Sequence, residues 1–269
     1  MLTIPKILDT PEFLDAPLGY KWDKNSAGYY SVDAENEKIV DALWQLNHKA
    51  TYGLATALGE WIYWRSSKYI NKETTLLALE AQWAGLVHYL YGVNWKFGNE
   101  YISTPVDGPF WAMMTCMQDC RESYMTGDYF INSKTDNLAI LARHISPDKE
   151  FFDTWLNNIL HTSSNLFPAR YDRQEIFENM DDYEDKYYDS TDEPAIPRQF
   201  FWEPDYSFEN EDNVKLINDF LSNLDYKNNT FLSSPRSLLK RNFKGTPYIR
   251  TPVNKINIII LKCAERFEW

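Results

Sequence analysis

The chain has 269 residues, 44% of them hydrophobic and 25% charged, enough to bury a sizeable core and too apolar for wholesale disorder. Its net charge of −12 disfavours a general binder of nucleic-acid backbones and an anionic membrane surface, both of which require basic patches. A cationic protein partner stays compatible, and 10 Trp, 18 Tyr and 15 Phe supply an unusual amount of aromatic surface.

The N-terminal "MLTIPKILDTPEFLDAP" lacks a basic region followed by an uninterrupted apolar run, so it does not read as a secretory signal. Residues 1–33, with Pro5, Pro11 and Pro17, read as an irregular arm packed down through Phe13, Leu14, Tyr20 and Trp22. A helical core over 34–164 follows. Asp33 is the expected N-cap of its first helix, with Glu35 and Glu37 in the first turn. Ile39, Leu43, Leu46 and Ala50 then recur at helical spacing, and Leu54, Leu58, Trp61 and Ile62 continue the pattern past a kink expected near Gly53.

A second helix is predicted after Asn71, striped by Leu76, Leu79, Trp83, Leu86 and Leu90, with Gly92 as its C-terminal glycine. The run from Leu76 to Tyr91 is too short and too polar to cross a bilayer. A third helix starts at "DGP", residues 107–109, and stops at Gly127; a fourth covers 135–145. The fifth is expected to start with Ser146 as cap and Pro147 at its first position. Residues 165–208 read as an acidic, proline-containing insertion, and 209–269 as C-terminal helices and tail. Within the tail, Val214, Ile217, Phe220, Leu221 and Leu224 form a helical stripe, and "SSPRSLL", 233–239, marks another helix start. "INIIIL", 256–261, reads as a short strand or a buried helix segment. The expected fold is mainly α, a multi-helix single domain with a short β element near the C-terminus left open.

Few constellations carry chemistry. Phosphate-binding glycine loops are absent, the four histidines form no ligand motif, and no GxSxG accompanies the serines. Cys116 and Cys120 share a helix face but lack the further ligands of a metal site, and the odd count of three cysteines without a CxxC pair suits a reduced, cytoplasmic setting. "EDK", 184–186, imitates part of a nuclease signature without strand context. The sequence therefore predicts no catalytic residue, no cofactor, no metal, no nucleic-acid partner and no membrane association.

The acidic run "ENMDDYEDKYYDSTDE", 178–193, is the most distinctive stretch. Ile176, Met180, Tyr183 and Tyr187 recur at helical spacing, which places Glu178, Asp182, Asp185 and Asp189 on one face. Like charges so spaced repel by a few tenths of a kcal/mol per pair, a cost that a cation or a basic surface relieves. The alternatives are a docking stripe completed by Tyr183, Tyr187 and Tyr188, and an ordinary solvated face.

"DDYED", 181–185, resembles the DDxxD motif of class I terpene synthases and prenyltransferases, which are all-helical and Mg²⁺-dependent. "NDFLSNLDY", 218–226, partly resembles their second metal motif. This resemblance implies Asp181, Asp182 and Asp185 around one Mg²⁺, Asn218 and Ser222 around another, and metal-assisted departure of diphosphate. The chain departs from the family at Tyr226, where a Glu belongs, and in the 32 residues and three prolines between Asp185 and Asn218. An acidic helical chain of this composition also resembles bacterial immunity and antitoxin proteins, which block a toxin's active surface. That resemblance implies a non-enzymatic protein that binds a basic partner, a toxin or effector, through Glu178, Asp182, Tyr183, Asp185, Tyr187, Tyr188 and Asp189.

Overall fold

The computed structural model describes residues 2–69, 73–97, 104–170, 189–208 and 210–250. These are mainly helical, as expected, and no strand occurs among them. The tail segment 256–261 and the predicted helix over 173–188 lie outside the described residues.

The N-terminal arm contains two short helices, α1 (Pro11–Leu14) and α2 (Lys24–Gly28), and a π-helical turn over Tyr29–Asp33. Thr10 caps α1, and Asp23 and Ser26 close a capping box on α2. Phe13 and Trp22 are buried, Phe13 meeting Trp61 edge-on at 5.4 Å. The arm therefore packs down as its aromatics predicted, with more local order than its prolines suggested.

Asp33 is not a cap. It ends the π-helical turn, and Asn36 instead accepts from the Lys38 amide to start α3 (Glu37–Leu43). The expected break lies not at Gly53 but at Trp44–Asn47, where Asn47 caps a new helix, α4 (His48–Ser66). α4 passes Gly53 unbroken, and the Phe201 ring lies where a Cβ at that position would be. Every residue of α4 except Trp64 is buried, so it is a central helix rather than an amphipathic one.

α5 (Glu73–Val87), α6 (Asp107–Thr126) and α7 (Phe130–Ile145) pack around α4. α5 ends before a 3₁₀ turn at Tyr89–Tyr91, and Gly92 is not its terminator: φ there is −89°, and a Cβ would meet the Arg121 guanidinium at 2.6 Å. Gly127, in contrast, closes α6 in the left-handed region with φ 75°, as predicted. α8 (Lys149–Leu166) is capped by Asp148, because the Ser146 hydroxyl is already occupied, donating to Ala142 O and accepting from the Trp61 indole.

Residues 189–202 are no peripheral insertion. Ala195 and Ile196 are buried, as are Phe200, Phe201 and Trp202 in and beside the short helix α9 (Gln199–Trp202). α10 (Asn210–Ser222) and α11 (Pro235–Lys240) then pack a smaller second core against the outer face of α5, through Ile217, Leu221, Leu224 and Leu238.

At the start of α6, Gly108 faces the Trp22 indole with no room for a Cβ. Gly108→Ala is expected to displace Trp22 and lower stability by about 1–3 kcal/mol, read as a lower denaturant midpoint with faster proteolysis of residues 1–33. An unchanged midpoint would show that the arm is not held at this contact.

Candidate functional site

Of the predicted docking stripe, Asp189 is described; Glu178, Asp181, Asp182, Tyr183, Asp185, Tyr187 and Tyr188 lie outside the described residues. Asp189 is exposed, and its carboxylate accepts from the Thr191 hydroxyl and amide. Those two bonds, with help from nearby Lys49 and His88, hold it below the usual carboxylate range.

The two residues of the partial second metal motif bond to other groups. Asn218 closes a reciprocal pair with the backbone of Arg250, accepting from its amide at 2.7 Å and donating to its carbonyl at 3.1 Å. Ser222, exposed at the end of α10, donates to the Asp219 carbonyl. Among the described residues no group of three or more His, Cys, Asp or Glu side chains is arranged to hold a metal ion. Cys116 and Cys120 are both buried, with burial pushing their thiols up.

The polar centre next to Asp189 is built on the start of α4. The Glu193 carboxylate accepts from the His48 and Lys49 amides at 3.2 and 2.8 Å, filling the exposed donors of a helix N-terminus where negative charge is favoured. The Glu193 carbonyl in turn accepts from Lys49 Nζ at 2.7 Å. One residue thus caps the central helix and receives its buried ammonium. Burial, reinforced by the positive charge of Arg250, brings Lys49 down to about 7 against the pull of Glu193. His88 falls to about 4, from burial first and then from Lys49, Arg241 and Arg250; buried His48 falls to about 4 as well.

Beside this clamp lies an aromatic and guanidinium layer. Tyr52 and Tyr124 stack face to face at 4.1 Å, and burial pushes both phenols up. Tyr124 also bonds the buried Ser190 side chain. Arg121 donates to the Tyr52 hydroxyl and to the carbonyls of Tyr89, Gly92 and Val93, tying α6 to the turn after α5. Arg121 serves three backbone carbonyls, which suits it to hold the turn after α5 in place.

The sequence reading missed Lys49, Arg121 and Glu193. A signal existed for Lys49: it opens a run of small and apolar residues, "ATYGLATALG", with no polar face of its own, so a charge there requires an answering group from elsewhere. For Glu193, embedded among exposed acids, periodicity carried no such signal.

Burial removes no acid excess. Among the described residues four cations (Lys49, Arg65, Arg121, Lys134) and four carboxylates (Glu60, Glu80, Asp136, Glu193) are buried, so the acidic surplus of the described residues lies outside their core. No described helix is long and apolar enough to cross a membrane. Comparison with known protein families, curated proteins and solved structures finds no match.

Lys49 sets a pH dependence. The folded chain holds this amine near 7 and the unfolded chain near 10.5, so between those values the unfolded state binds the additional proton and stability rises with pH. The rise is expected from pH 7 to about pH 8.5, beyond which the buried thiols and phenols act in the opposite direction. Denaturant titrations at several pH values should show this slope in the native chain and its loss in Lys49→Met; parallel slopes would contradict the assignment.

Proposed function

We propose that this chain is a non-enzymatic, cytoplasmic binding protein of the bacterial immunity or antitoxin kind, which docks on a basic toxin or effector and neutralises or masks it. The observation that carries this reading is the charge partition: among the described residues buried cations and buried carboxylates are equal in number, so the acidic surplus of those residues lies outside the core. Such a surface steers a cationic partner into encounter and rejects anionic ones.

The stripe of Glu178, Asp182, Tyr183, Asp185, Tyr187, Tyr188 and Asp189 is the proposed contact, since it combines carboxylates for steering with tyrosines for contact area at low entropic cost. Asp189 supports this use: it is exposed, kept ionised by Thr191, and stands four positions before the Glu193 clamp.

Binding is tested by capturing basic proteins on the immobilised full chain and measuring association with the captured partner from about 0.05 M to about 0.5 M salt. The expected result is a steep loss of association rate with salt, and a loss of about tenfold or more in the triple variant Asp182→Asn, Asp185→Asn, Asp189→Asn at low salt. Capture indifferent to salt and to the three substitutions would remove the basis of the proposal. A melting temperature raised by Mg²⁺ with a diphosphate analogue, and restored by Asp181→Ala, would replace it with the diphosphate reading.

A further inference from the structure

Three buried side chains of α7 hold the stretch of chain that leads out of the N-terminal arm. Lys134 Nζ donates to Ser31 O at 3.1 Å, the Asn137 amide donates to Ala34 O, and the Asp136 carboxylate accepts from the Asn36 backbone amide at 2.7 Å. All three are at most 5% exposed. What they grip is backbone, while Val32, Asp33, Glu35 and Asn36 are exposed. Asn36 is also the N-cap of α3, so this grip sits where the arm passes into the helical core.

The three contacts differ in charge. Lys134 is balanced by Asp119 of α6 at 3.5 Å, and Asn137 is neutral. Asp136 has a weaker answer: its Oδ2 holds the Asn36 amide, and its Oδ1 is buried without a hydrogen-bond partner. Burial raises its carboxyl to about 6 against the pull of the Asn36 amide, and Glu35 adds to the rise. Charged groups on the other elements packed against α7 are engaged elsewhere. On α4, Lys49 is bound to Glu193, Glu60 to Arg198 and Arg65 to backbone carbonyls, and the His48 ring packs on Tyr124 and Tyr129. On α6, Arg121 holds the turn after α5 and Glu122 acts on Asp119; on α8, Asp153 accepts from Arg143. Asp33, Glu37, Lys38 and Asp41, on the approach to α3 and on α3 itself, are exposed.

We propose that Asp136 is a pH-sensitive clasp on the N-terminal arm, holding residues 31–36 against α7 more firmly when its carboxyl is neutral than when it is ionised. A buried carboxylate with one donor and one orphan oxygen favours the neutral form, and opening the clasp returns it to water. The open form therefore ionises near the ordinary value of 3.8 and the closed form near 6. Below the lower value both forms are protonated and the clasp has its full hold. Between the two values the open form releases its proton first, so the hold weakens as pH rises, and above the upper value it stays weak. Each unit of separation is a factor of about ten in the opening equilibrium. The arm is thus fixed in acid and freer at neutral pH, whether or not the chain docks on a basic partner.

The test is amide hydrogen exchange on the full chain, with protection corrected for the intrinsic pH dependence of exchange and read against amides of α4, which report global opening. Protection at Ala34 and Asn36 is expected to fall about tenfold or more between about pH 4 and about pH 7. Asp136→Asn keeps an acceptor for the Asn36 amide and removes the charge, so both amides are expected to stay at their acid level of protection throughout. Titration of the Asp136 carboxyl by carbon NMR in the native chain does not depend on any variant folding, and its midpoint is expected near 6. Protection that is independent of pH, the same fall in Asp136→Asn, or a carboxyl midpoint at or below about 4 would overturn the clasp.

Discussion

The fold depends on a helix that is surrounded by protein yet carries charge. α4 is buried along nearly its whole length, and Lys49, Glu60 and Arg65 are on it. An isolated charge in such a place costs several kcal/mol, so each has to be answered. Lys49 is answered by Glu193, Glu60 by Arg198, and Arg65 by the carbonyls of Ala16, Pro17 and Ile145. The answering groups come from both sides of the helical core in sequence. The arm at the N-terminus and the segment after residue 189 are consequently held to the centre by the same physical requirement. Apolar burial supplies the bulk of the stabilisation, but it does not discriminate finely between ways of draping these segments. Three charges at fixed positions along one helix do.

That division of labour explains what could be read from the residues alone. Helices α5, α6 and α8, and the stripe of α10, were legible because each has an apolar recurrence at helical spacing or a strong boundary residue, and both depend on near neighbours in the chain. The start of α4 was not. Its apolar positions continue the pattern of α3 with little phase change, so the four intervening residues at Trp44–Asn47 look like more of the same helix. What breaks them is remote: the Asn47 amide donates to Phe167 O, the Ala169 amide donates to Gln45 O, and the Glu193 carboxylate accepts from the His48 and Lys49 amides. Ser146 was misread for a related reason. Its side chain fits a cap by type, but Trp61, 85 residues away, competes for the hydroxyl, and the next eligible residue, Asp148, takes the role.

The candidate site divides along the same line. The acidic stripe is visible in sequence because its residues are adjacent. A cleft between α5, α10 and the start of the chain is invisible there, since Leu2, Glu80, Arg198 and Phe220 meet only in the folded chain. Even with the fold in hand, lining residues acquire meaning through their partners. Arg198 by composition would offer the cleft a cation, but its bidentate engagement with Glu60 already commits it.

Asp189 ends the stripe, Glu193 is clamped to α4, and Ile196 to Gln199 form one wall of the cleft, all within eleven consecutive residues. At Glu193 the chain is fixed by a carboxylate bound to two helix amides and by a carbonyl bound to the buried Lys49 side chain. Ordering cost on binding is reduced when the contact segment is already fixed at one end, because fewer rotatable bonds remain to be restrained. The clamp thereby gives the interior's charge pairing a consequence further along the chain: the bonds that answer Lys49 also fix the backbone four positions from the exposed Asp189.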